Sequence, residues 1–124
     1  MPFQYVRDDA TRRITLTVSD PLTVAERIAA VERQLADGAW SYGLLIDARR
    51  MASFTPKLAE MQAAAVRVAE LVATHGPRGA VAIVSRKPGV IGASTMHNSL
   101  GVKTAVQAFW DMDEARKFLD GQDR

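Results

Sequence analysis

Six side chains in this chain of 124 residues have types and spacing that could do chemistry: Asp47, Arg49, Ser53, Thr55, Ser85 and Arg86. Asp47 closes the apolar run Gly43, Leu44, Leu45, Ile46 and is followed by Arg49 and Arg50. A carboxylate at such a strand exit can orient a polar ligand, since ligands of open α/β sheets bind outside the carboxyl ends of strands. It can equally form a local ion pair with either arginine. Ser53 and Thr55 precede a helix start at Pro56. A phosphate on either hydroxyl would be stabilised by free N–H groups and the helix dipole, so both are candidate phosphorylation sites. Thr55 would serve as well as a simple N-cap. The stretch "SRKPGVIGAST" sets Ser85, Arg86 and Lys87 ahead of Gly89 and Gly92. Backbone N–H groups in such a turn can cradle an anion, and the same turn can be a plain solvated connection.

Other chemistries find less support. Neither G-x-x-x-x-G-K-[ST] nor G-x-G-x-x-G occurs, so no nucleotide fingerprint is present. No cysteine occurs, which rules out disulfides, thiol catalysis and thiolate metal sites and fits a reducing, cytoplasmic location. His75 sits where a last helical turn favours a cation, and His97 lies far from it, without metal-ligand spacing. Ser85, His97 and Asp47 can be assembled into a triad on paper, but triads are set by geometry and nothing local supports one. Trp40, Trp110 and Tyr42 read as packing or interface aromatics. No catalytic residue, cofactor or metal is therefore assigned.

Composition agrees with a small globular domain. Apolar residues make up 48% and charged residues 24%, an ordinary mixture for a chain that buries one core. The net charge of +2, with both signs interspersed, is too mild to argue for nucleic acid. The start "MPFQYVRDD" lacks a leader pattern, and no apolar run approaches the roughly 20 residues of a membrane span.

The elements that must position the six residues follow from periodicity. Phe3, Tyr5, Ile14, Leu16 and Val18 alternate with polar residues around "DDAT", which predicts a hairpin. Residues 23–38 predict a helix with Val24, Ile28, Val31 and Leu35 inward and Glu32, Arg33 and Gln34 outward. Thr23 and Glu26 have capping-box spacing, Asp20 with Pro21 offers a competing start, and Gly38 is a stop. "SYGLLIDA" predicts a strand covered on both faces. Residues 55–76 predict a helix with Leu58, Met61, Ala65, Val68 and Val72 buried and Gly76 at its end. A strand over 79–85, a short helix over 88–101, a strand over 102–109 and a helix over 111–121 complete the order. In the last helix Asp111 and Glu114 have capping-box spacing, with Met112, Ala115, Phe118 and Leu119 inward. Strand and helix alternate after the hairpin. The expected fold is therefore a single α/β domain over 1–124, with a mixed, mostly parallel sheet of five strands and about four helices.

"RGAVAIVSRKPGVIGASTMHNSL" followed by "VQAFWDMDEARKFL", with "DGAWSYGLLIDAR" as a central strand, resembles the bacterial STAS-like family related to sporulation anti-sigma-factor antagonists. The resemblance spans essentially the whole chain. It implies a mixed five-stranded sheet with helices packed on it, a fold shared with lipid-carrying CRAL-TRIO-type proteins. Members are largely without assigned activity. Anti-sigma antagonists carry an Asp-Ser-Ser-Gly-Leu phosphorylation motif where the central strand meets the next helix; here that junction reads "RRMASFTPKL". A basic residue common in the third helix of relatives is replaced near Thr95.

The functional expectation is a non-enzymatic STAS-like regulatory or small-ligand domain. Asp47, Arg49, Ser53, Thr55, Ser85 and Arg86 would bind a lipid or an anionic head group. The alternative is a homodimeric or partner-binding interaction module, with the hairpin strand and "FWDM" forming one apolar patch. A third reading, a small hydrolase or transferase, needs a nucleophile and base in reach of one another.

Overall fold

A computed structural model describes residues 3–19, 23–50, 58–76, 78–85 and 106–122. Strands β1 (Phe3–Asp8) and β2 (Arg13–Ser19) form the expected hairpin. They are followed by α1 (Val24–Ala36), β3 (Gly43–Arg50), α2 (Leu58–His75), β4 (Val81–Val84), β5 (Val106–Phe109) and α3 (Met112–Gln122). The short helix expected over 88–101 lies outside the described residues, so three helices are seen among those described.

Local chemistry sets the element ends. In the hairpin turn the Asp8 carboxylate accepts from the Ala10 and Thr11 amides, and Arg12 takes a left-handed φ of 53°. Thr23 decides the start of α1. Its hydroxyl accepts from the Glu26 amide at 3.1 Å and the Glu26 carboxylate accepts from the Thr23 amide at 3.3 Å, a complete capping box. Gly38 and Gly76 follow α1 and α2 with φ of 71° and 89°, a conformation that glycine adopts without a Cβ penalty. Asp111 caps α3 through the Asp113 amide at 2.8 Å rather than through a reciprocal bond with Glu114.

The sheet order is β1-β2-β3-β4-β5, with β1 antiparallel to β2 and every later pair parallel. Side-chain alternation sorts the two faces. Ile14, Leu16, Val18, Leu44, Ala48, Val81 and Val106 pack with Ala30 of α1 on one face. Ala65 and Val68 of α2 pack against Val31 on that side. Leu45, Ala82 and Val84 pack with Ala115 and Leu119 of α3 on the other. Consecutive right-handed crossovers through a sheet wound in one direction stay on one face, which is why α1 and α2 share a side.

The expected α2 stripe holds where it is described, and the α1 stripe needs revision. Ala65, Val68 and Val72 face inward on α2 as expected, and Leu71 joins them; the side chains of Leu58 and Met61 lie outside the described residues. On α1 the buried stripe runs through Ala30 and Gln34, and Gln34 is 1% exposed instead of solvated. Its amide nitrogen donates to the Ala39 carbonyl at 3.0 Å and the Tyr42 carbonyl at 3.2 Å. Those two carbonyls belong to the loop before β3, so the Gln34 amide ties that loop to α1, the Ala39 carbonyl accepting from the Tyr42 amide as well.

Candidate functional site

Asp47 lies near the carboxyl end of β3, beside Thr17 of β2 and Val84 of β4. Its carboxylate is spoken for. Arg49 Nε donates to Oδ1 and a terminal nitrogen donates to Oδ2, both at 2.9 Å, and the Arg49 amide adds a bond to Oδ1 at 3.2 Å. This fork is the strong, geometrically specific form of a carboxylate–guanidinium contact. The Arg49 hydrogen bonds hold the Asp47 carboxyl below the usual carboxylate range, against an opposing effect of burial. A depressed folded-state pKa contributes stability that is present above the unfolded value and is lost as pH falls through the folded one. Asp47→Asn is therefore expected to flatten the stability profile below about pH 4. Urea melts of both proteins at stepped pH check this; parallel acid limbs would refute it.

Ser85 is fully buried, and its amide donates to the Phe109 carbonyl at 3.0 Å. Asp47 pairs with Val84 across β3 and β4, so Ser85, one residue on, turns to the opposite face. The structure thus joins Asp47 with Arg49 and separates both from Ser85. The paper triad has its acid and its hydroxyl on opposite sides of the sheet. Ser53, Thr55, Arg86 and His97 lie outside the described residues. Arg50 is exposed and pairs with Ser19 beyond an irregularity in the β2–β3 register. The strand order also matters here. A ligand crevice at a carboxyl edge arises where strand order reverses and neighbouring crossovers diverge, and this order does not reverse.

The expected apolar patch does not form. Val6 on β1 and Trp110 after β5 are 58% and 55% exposed. They belong to opposite edges of the sheet, about 19 Å apart at the usual strand spacing.

What sequence reading missed is a set of guanidinium–ring contacts. Arg7 and Arg12 stand over the Tyr42 ring at 5.2 and 5.6 Å, Arg33 over Tyr5 at 4.1 Å and Arg78 over Trp40 at 5.6 Å. The Tyr42 hydroxyl and Arg7 Nε both donate to Asp9 Oδ1 at 2.7 Å. Burial pushes the Tyr5 phenol up to about 12, with the nearby Asp37 carboxylate acting in the same direction. The only sequence signal was the abundance of arginine beside isolated aromatics, which does not say which ring each arginine meets.

Comparison with solved structures settles the fold. A chain from Shewanella loihica PV-4, described as an uncharacterised protein of the DUF3478 family with a SpoIIAA-like fold, superposes with a TM-score of 0.57. The match covers 94% of this chain and 91% of that one, at 18% identity. The fold is SpoIIAA-like. At that identity the likeness speaks for architecture alone, and it agrees with the STAS-like resemblance carried by the strand and helix pattern. No protein-family model matches the sequence, and no curated protein does. Among the described residues of this SpoIIAA-like domain no cluster of metal-ligating side chains occurs, and no helix is long and apolar enough to cross a membrane.

Proposed function

We propose that this chain is a non-enzymatic SpoIIAA-like regulatory or ligand-binding domain whose ligand carries an acidic group. The supporting observation is the charge balance at the end of β3. One carboxylate, Asp47, stands against two guanidinia, and its fork goes to Arg49, so among the described residues Arg50 has no ion pair of its own. Ser53, Thr55 and Arg86 belong to the same proposal, with Ser53 or Thr55 as phosphate acceptor in a regulatory version. An apolar tail on the ligand, a lipid for example, would require space between helices and sheet.

The test is native mass spectrometry of the protein purified gently from its own host, followed by the same measurement on Arg50→Ala. A bound acidic small molecule that is lost at least tenfold in the variant supports the reading. A mass increment of one phosphate supports the regulatory version. An unmodified apo mass in both proteins overturns it.

A second reading, a homodimeric interaction module, draws on β1. This strand is a sheet edge, with one side unpaired in the sheet and Val6 exposed on it. Such an edge can pair with another strand. Light scattering that shows a dimer for the wild type and a monomer for Val6→Lys would favour this version.

A further inference from the structure

Arg78 leads into β4, and its surroundings are unusual for a charged side chain. Its guanidinium lies over Trp40, a core residue that is 8% exposed. Nε is sealed from solvent without a hydrogen-bond partner. Among the described residues no hydrogen bond or ion pair reaches any part of this guanidinium. A second cation, Arg27, in the first turns of α1 and three residues before the buried Ala30, acts on it as a like charge. Burial first and then Arg27 bring the Arg78 pKa down to about 10, so the group is still charged at neutral pH. Arg27 is also held below its ordinary value by burial.

Like charges repel one another, and a charge partly withdrawn from water costs free energy when no counter-charge offsets it, which for Arg78 none does among the described residues. The placement is also enforced. Gly79 crosses the loop before β3 so closely that a Cβ would overlap the Tyr42 carbonyl, and the Gly79 amide donates to the Trp40 carbonyl at 3.0 Å. The Trp40 indole N–H donates to the Gly76 carbonyl at 2.9 Å, which fixes the ring under the guanidinium. Arg78 is therefore held in this position by contacts that do not neutralise it.

We infer that Arg78, with Arg27 as the second cation, is a binding site for an oxyanion, a phosphate or carboxylate group. The terminal nitrogens of Arg78, which are not sealed as Nε is, present the planar fork that matches two oxygens of such a group. Trp40 holds the plane of the fork and Arg27 adds charge. This site is independent of the β3 edge and stands even if that edge binds nothing.

The experiment is thermal unfolding of the full chain in chloride buffer, with inorganic phosphate or acetate added at matched ionic strength. Wild type should gain Tm with phosphate, with acetate, or with both, and the pattern names the preferred oxyanion. Arg78→Met should melt above wild type in chloride, because an unpaired buried charge has been replaced by an apolar stem, and should lose at least tenfold in anion affinity. Arg27→Met should fold and weaken the same response several-fold. No anion response in wild type, equal responses in wild type and Arg78→Met, or an Arg78→Met protein that melts lower or fails to fold would each overturn the site.

Discussion

Gly79→Ala is expected to destabilise the protein by about 3 kcal/mol and to lower its Tm by about 10 °C. The atoms that a Cβ would meet are the carbonyl oxygen and carbon of Tyr42 and the carbonyl oxygen of Ser41, all main chain. A side chain can rotate away from an added methyl, but these atoms cannot move without the loop. That loop is tied by the Gly79 amide on Trp40 and by the Leu44 amide on Ala80 at 2.9 Å. Relief of the overlap would break hydrogen bonds at the start of both β3 and β4. Gly121 is the control, since nothing lies within 4 Å of its added Cβ and it sits inside α3. Gly121→Ala should be neutral or stabilise by up to about 1 kcal/mol through helix propensity. Urea unfolding followed by tryptophan fluorescence measures both. A Gly79→Ala midpoint equal to wild type would mean that the two segments do not cross as described.

Leu119→Ala should cost about 3 kcal/mol. Leu119 is 2% exposed and belongs, with Ala115, to the cluster that covers Leu45, Ala82 and Val84. The rest of the α3 contact is Met112 and the tilted ring pair Phe109–Phe118, with centroids 5.5 Å apart. Loss of Leu119 leaves a cavity beside Gly43, whose Cβ position is 3.4 Å from Leu119 Cδ2. Val66→Ala, at a position 57% exposed on α2, is the matched control and should stay within about 0.5 kcal/mol. Equal effects at the two positions would mean that α3 is not seated on β3 and β4.

These stability predictions bear on function because both probe the frame around the candidate sites. Gly79 sets where Arg78 meets Trp40, and α3 covers the face on which Asp47 meets Arg49. A Gly79→Ala protein that still folds should therefore also lose the oxyanion response assigned to Arg78.

Much of the frame was legible from residue order alone. Period-two alternation placed Ile14, Leu16 and Val18 inward, and period-3.6 spacing placed Ala65, Val68, Ala115 and Leu119 inward. The Thr23–Glu26 box and Gly38 and Gly76 marked helix ends, because capping involves residues within one turn of each other. The alternation of strands and helices after a hairpin implied a mixed sheet, as found.

The sites were not legible in the same way. Whether Asp47 and Ser85 share a face depends on the register of β3 against β4, which pairs Asp47 with Val84 and is set by long-range packing. The phase of the α1 stripe depends on what the helix meets. It buries Gln34, whose amide donates to two carbonyls of the loop before β3. Nothing in the spacing of "HGPRGA" marks Arg78; it becomes a half-buried cation because Gly79 lets the chain pass under Tyr42 and set it against Trp40. Sequence by itself determined the elements, their order and their ends, since those follow from contacts a few residues apart. Local pairs such as Asp47 with Arg49 were within reach of sequence reading. Tertiary structure alone decided the distant ones, Arg13 with Asp120 and Arg67 with Glu32, and the stacking of Arg78 on Trp40, because no local spacing encodes how those segments approach.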